Sequence, residues 1–179
     1  AFSYAGERCA VLGISNKLAQ RRFPDLKEFC GQEIFLRGIL FGALHPLSSG
    51  TSHSAQYALA GVMKAVNDGT YNYRDDVLEY GKKAKLMKDA FVDNGFKFTY
   101  DEDLGEPIAD GFYFTYYYPG FSGAELLEKM LYYGISAISL DTCGSTRQGI
   151  RACTSLIQRD EIPVLAERLK RFAEDHPVK

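Results

Sequence analysis

Gly111-Phe112-Tyr113-Phe114-Thr115-Tyr116-Tyr117-Tyr118 places six aromatic rings in eight positions and is followed, after Pro119-Gly120-Phe121, by Ser122-Gly123-Ala124-Glu125. Aromatic side chains suit the pleated, half-buried surface of a sheet, so the first run predicts a strand. The second is a capping box, in which the Ser hydroxyl and the Glu carboxylate each satisfy a backbone N–H orphaned at a helix start. It predicts a helix through Leu126, Leu127, Met130 and Leu131 to Gly134. Downstream, 135–140 and 149–154 predict two further strands. A last helix from about 160 to 174 buries Ile162, Leu165, Leu169, Phe172 and Ala173.

Upstream of the aromatic strand, Val77, Tyr80, Ala84, Met87 and Phe91 share one face of residues 73–94, with Lys82, Lys83, Lys85 and Lys88 on the rest. That spacing predicts a long amphipathic helix, ended by Gly95. Residues 97–100 predict a short strand, and 101–110, acidic and carrying Pro107, a loop. Ala55, Ala58, Leu59, Val62, Met63 and Val66 predict a helix that closes at Gly69 as its C′ residue, and the Ser-, Gly- and Pro-rich 45–53 before it a loop. Residues 17–44 predict two helices broken at Pro24, which lacks an N–H and disfavours helix in the residue before it; 34–44 is expected to be buried. Cys9-Ala10-Val11-Leu12-Gly13-Ile14, a continuous apolar run, predicts a strand buried on both faces of a sheet. The order is α/β, with a division between 1–72 and 73–179.

The chain has 179 residues, 46% hydrophobic and 25% charged, with 21 basic against 23 acidic side chains and a net charge of -2. This excludes disorder and collagen-like order. Folding at this length buries roughly 70% of the unfolded surface without staples. No block of like charge marks a nucleic-acid or anionic-membrane partner, and no apolar run reaches the roughly 18 residues of a spanning helix. Cys9, Cys30, Cys143 and Cys153 fit neither a zinc spacing nor a dense secreted framework, so four reduced, mostly buried thiols are expected. His45, His53 and His176 share no metal-binding spacing. Reduced thiols and no targeting signal point to the cytoplasm, and a first residue other than Met points to a fragment.

Ser3-Tyr4-Ala5-Gly6-Glu7-Arg8 precedes the first apolar run, and Gly134-Ile135-Ser136-Ala137-Ile138-Ser139-Leu140, the loop 141–149 and Ile150-Arg151-Ala152-Cys153 stand near the other end. Together they resemble the pyridoxal-phosphate aminotransferases of class I/II, the fold type I family. In that family a Schiff-base lysine is followed by two variable residues, a small one, an apolar one, a variable position, Gly or Asn, any residue, then Arg. Ser3, Gly6 and Arg8 match; Tyr4 stands where an aliphatic residue or Phe is commoner, and the lysine would immediately precede Ala1. The resemblance implies that Arg8 contacts the phosphate of pyridoxal 5'-phosphate, a task suited to a planar, permanently charged guanidinium.

By the same resemblance Arg151 binds the substrate's α-carboxylate. An arginine between Ile150 and Ala152 in an apolar strand would in any case be costly without an anionic partner. Arg147 is the competing candidate, and Leu140-Asp141 stand where the family usually has Pro-Gly. Ser49 to Gln56 resembles the loop that approaches the neighbouring active site in the family's dimers. The implied fold is the C-terminal portion of the fold type I architecture: a large-domain remnant in 1–72 and a small α/β domain with a mainly antiparallel sheet in 73–179. The implied activity is amino-group transfer between an amino acid and a 2-oxo acid in a homodimer, and this chain, without the lysine, is expected to be inactive. The alternatives are a decarboxylase or lyase of the same fold, and a non-catalytic α/β binding module.

Overall fold

The structure, a computed structural model, describes residues 5–108 and 111–178. The chain divides into two units, Ala1–Asn72 and Tyr73–Lys179. Ser3 and Tyr4 of the resemblance lie outside the described residues.

In the first unit a 3-10 turn, Ala5–Glu7, leads into irregular backbone, then α1 (Asn16–Ala19), α2 (Leu26–Cys30), α3 (Phe35–Arg37), a π-helical Gly38–Leu44, α4 (His45–Ser48) and α5 (His53–Asn67). Four sequence expectations are corrected here. Residues 9–14 form no strand, and Val11 and Leu12 are 77% and 71% exposed. A strand buried on both faces needs paired neighbours, and the one bridge described in this unit joins Arg22 to Ile34. The two helices expected over 17–44 are shorter pieces, because Gly31, at φ +66, closes α2 after only five residues. Residues 34–44 are covered only in part: Gly38 is buried, but Phe41 is 60% exposed. The expected loop at 45–53 begins with α4, where Pro46 sits in the first turn and its missing N–H costs nothing.

The second unit contains α6 (Tyr73–Asp93), β1 (Lys97–Phe98), β2 (Glu102–Asp103), β3 (Glu106–Pro107), β4 (Tyr113–Tyr117), α7 (Gly123–Tyr132), β5 (Ile138–Ser139), β6 (Ile150–Cys153) and α8 (Ile162–Asp175). A 3-10 turn, Arg159–Glu161, precedes α8. The main sheet runs β1-β4-β6-β5 with every pair antiparallel, so the unit is mixed α/β. Its register sets Phe114 opposite Ala152 and Tyr116 opposite Ile150. Side chains alternate across a strand, so these four share one face. That face is buried with Met87 and Phe91 of α6, Leu126 and Met130 of α7, and Leu169 and Phe172 of α8. Tyr116 stacks on Phe91 at 4.4 Å with the rings 6° from parallel. Tyr113, Thr115 and Arg151 occupy the opposite face.

The capping box forms as read: Ser122 Oγ accepts from Glu125 N, and the Glu125 carboxylate accepts from Ser122 N at 3.0 Å. Other details depart from the sequence. Residues 101–110 hold the small β2–β3 hairpin, and the strand expected over 135–140 shortens to two residues. Lys83, expected on the solvated side of α6, is 6% exposed, and its Nζ donates to Ile157 O at 2.8 Å. Val77, expected in the buried stripe, is exposed, because the core against α6 begins at Ala84. The thiols are free, but none is fully buried: Cys143 lies in the exposed 141–149 loop and Cys153 on the open sheet face.

Candidate functional site

Gly149 decides how the loop after β5 returns to the sheet. It adopts φ +139, and a Cβ there would collide with Tyr116 O and stand 2.7 Å from Thr99 Oγ1. Only glycine lets the backbone approach β4 so closely. Leu140 N then donates to Gly149 O at 2.9 Å, and β6 starts one residue later. The ladder places Arg151 between Thr115 on β4 and Ile138 on β5.

Arg151 is half-buried on the open face of the sheet, its guanidinium 4.5 Å from the centroid of the Tyr113 ring. Among the described residues it pairs with no carboxylate. A guanidinium on an aromatic face keeps its edge donors available for a planar anion. Arg147 is differently employed. Its Nη1 donates to Thr99 O at 2.8 Å and its guanidinium lies 4.7 Å over Tyr100, whose hydroxyl meets Ser145 Oγ at 2.7 Å. Asp141, at the loop start, is held below the usual carboxylate range by a hydrogen bond from Ser139.

Arg151 borders a groove of about 590 Å³ shared with Ile138, Leu156, Val164, Glu161 and Arg168. The Glu161 carboxylate accepts from Gln158 N at 2.7 Å, and Arg168 Nη1 donates to Gly134 O at 2.7 Å, closing the end of α7. At the same helix end the Tyr133 hydroxyl donates to Asp175 Oδ2 at 2.7 Å; this bond and burial push the phenol up to about 12.

Arg8 belongs to the first unit, is exposed, and has φ +52, a left-handed turn rare for a side chain with a Cβ. A Cβ built at Gly6 or Gly13, on either side of it in the sequence, would meet nothing within 4 Å. In the Ser49 to Gln56 segment, Ser54 Oγ donates to Glu7 Oε2 at 3.3 Å and Gln56 Nε2 to Thr51 O at 3.2 Å. These are loop-fastening bonds, and the first ties the segment to the residue beside Arg8.

The sequence alone did not point to Tyr113, Leu156 or Val164. Tyr113 becomes a partner of Arg151 only through the β4–β6 register, and Leu156, in the turn after β6, and Val164, on α8, come to line one groove only in the folded chain. Among the described residues no three His, Cys, Asp or Glu side chains gather as for a metal, and no helix is long and apolar enough to cross a membrane. Comparison with protein-family models finds none that matches this chain, and comparison with curated proteins finds no relative.

Proposed function

We propose that this chain is the carboxylate-binding C-terminal part of a cytoplasmic, homodimeric pyridoxal-phosphate aminotransferase of fold type I, moving an amino group between an amino acid and a 2-oxo acid. One observation carries the reading: Arg151 holds its guanidinium on the Tyr113 ring on the open face of the sheet, with no carboxylate of the described residues to neutralise it. The planar fork accepts a carboxylate through two parallel hydrogen bonds and fixes its orientation, which is what a substrate held for proton transfer at its α-carbon requires. Arg8 would give one contact to the cofactor phosphate, and the rest of that site, with the lysine, lies outside this chain. The cofactor, when bound, serves as the electron sink for the amino acid.

The coding sequence immediately upstream of Ala1 is expected to specify lysine; any other residue there removes the aminotransferase reading. In the protein that carries this lysine, Arg151→Lys is expected to lower kcat/KM by about 10- to 100-fold, or ~1.5–3 kcal/mol, because a bidentate charged contact is lost. Unchanged kinetics would move the carboxylate to Arg147. The 179-residue chain itself is expected to keep no cofactor through desalting, read by absorbance in the visible range, and a persistent band would contradict the proposal.

A further inference from the structure

The ladder gives Arg151 two direct neighbours on the open face of the sheet, Thr115 on β4 and Ile138 on β5. Neither gives its guanidinium a hydrogen bond. Ile138 has no polar atom in its side chain, and the Thr115 hydroxyl is engaged with Tyr100, whose N–H donates to it at 3.1 Å. The side chain that does meet the guanidinium is Tyr113, which stands opposite Cys153 and so lies diagonal to Arg151 on the same face. The guanidinium carbon is 4.5 Å from the centroid of its ring, and Tyr113 is 55% exposed.

An ion pair would restrain the same arginine, but it would also consume its charge. The face of an aromatic ring attracts a cation through its quadrupole and takes up no N–H as a hydrogen-bond acceptor. It therefore narrows the positions that the long side chain samples and leaves the charge and the donors of the guanidinium for a ligand. The same electron-rich face repels a carboxylate, which consequently meets the guanidinium away from the ring. The attraction resides in the ring and not in the phenol hydroxyl.

We propose that Tyr113 is a positioning residue for Arg151, its ring holding the guanidinium in the orientation that receives a carboxylate. This role rests on Arg151 being the carboxylate clamp proposed above, and Tyr113 acts through that arginine rather than on the substrate. A ligand that binds one orientation of a side chain loses affinity in proportion as that orientation is less populated. A cation–π contact at an exposed site biases such a population by about two- to fivefold, so loss of the ring weakens carboxylate binding by about that factor.

The test is NMR on the 179-residue protein and its variants Tyr113→Phe, Tyr113→Leu and Arg151→Gln. Without ligand, the Arg151 Nε–H signal, assigned by its loss in Arg151→Gln, is expected to be ring-shifted and motionally restricted in the parent and in Tyr113→Phe. In Tyr113→Leu it should be unshifted and mobile, a change that a merely structural role for Tyr113 would not produce. With pyruvate as the probe, titrated through the millimolar range, Tyr113→Phe should bind as the parent does, and Arg151→Gln should not bind. Tyr113→Leu should bind about two- to fivefold more weakly. Tyr113→Thr, another strand former, gives the same readings should the leucine variant not fold. A pyruvate affinity indifferent to loss of the ring, with binding still abolished in Arg151→Gln, would overturn the positioning role and leave the clamp standing. Pyruvate binding that survives Arg151→Gln, or no binding by the parent, would overturn the clamp and the role of Tyr113 with it.

Discussion

Arg147 and Arg151 stand four positions apart and answer different needs. Arg147 bonds the carbonyl of buried Thr99 and so fastens the 141–149 loop to the end of β1. Arg147→Ala is expected to cost about 1–2 kcal/mol in urea unfolding, with carboxylate binding retained; loss of binding with unchanged stability would reverse the two roles. Tyr133 permits a second check. Its ionisation is raised to about 12 in the folded chain, so the stabilisation from its bond to Asp175 is full below the ordinary phenol value of about 10 and is lost as pH rises through about 12. In a spectrophotometric titration Asp175→Asn should bring this phenol back toward about 10; an unaltered titration would mean the bond is not made. At this scale, Arg151 is legible in the sequence because an arginine in an apolar strand demands an explanation. Tyr113 is not, since nothing local to residue 113 announces a partner 38 positions away, and Lys83 misleads because a lysine on a helix ordinarily marks the wet side.

Elements were legible where local chemistry and burial agree. β4 and α7 follow from aromatic density and the capping box, and α6 from its 3.6-residue period, even though its buried face starts about two turns later than Val77 suggests. Where an apolar run depends on partners for its cover, the sequence misleads: 9–14 has the composition of a central strand and no strand to pair with among the described residues, and 34–44 has that of a core helix but only Gly38 of it is buried. The same dependence shortens β5, whose outer edge is open. Gly149→Ala is expected to destabilise the second unit by ~3 kcal/mol or more, because it combines a backbone collision at Tyr116 with an unfavourable φ. A thermal midpoint within a degree or so of the parent would contradict the close approach. Lys83→Met keeps the aliphatic stem but removes the donor to Ile157 O, and about 1–2 kcal/mol should be lost.

For the whole molecule, the two units differ in how they are held. The first has Ala19 and Ala55 as its buried apolar side chains among the described residues, while the second has a continuous core from Ala84 to Phe172. Hydrogen exchange should therefore find slow amides concentrated in 73–179 and fast ones in 1–72; uniform protection across both would contradict this. Val11, Leu12, Phe29, Phe41 and Leu47 are exposed apolar side chains of the first unit. Sedimentation should accordingly show concentration-dependent self-association that is lost when residues 1–72 are deleted. The Phe91–Tyr116 stack has a further consequence for measurement. The chain has 12 tyrosines, 12 phenylalanines and no tryptophan, and in the second unit Phe96, Tyr118 and Phe172 also meet at centroid distances of 4.8 to 5.6 Å. Rings fixed this closely in an asymmetric setting couple their transitions, so the near-ultraviolet dichroism of the protein is a tyrosine spectrum that reports the second unit's tertiary order, and its decay on heating would time the melting of that core unobscured by indole absorption.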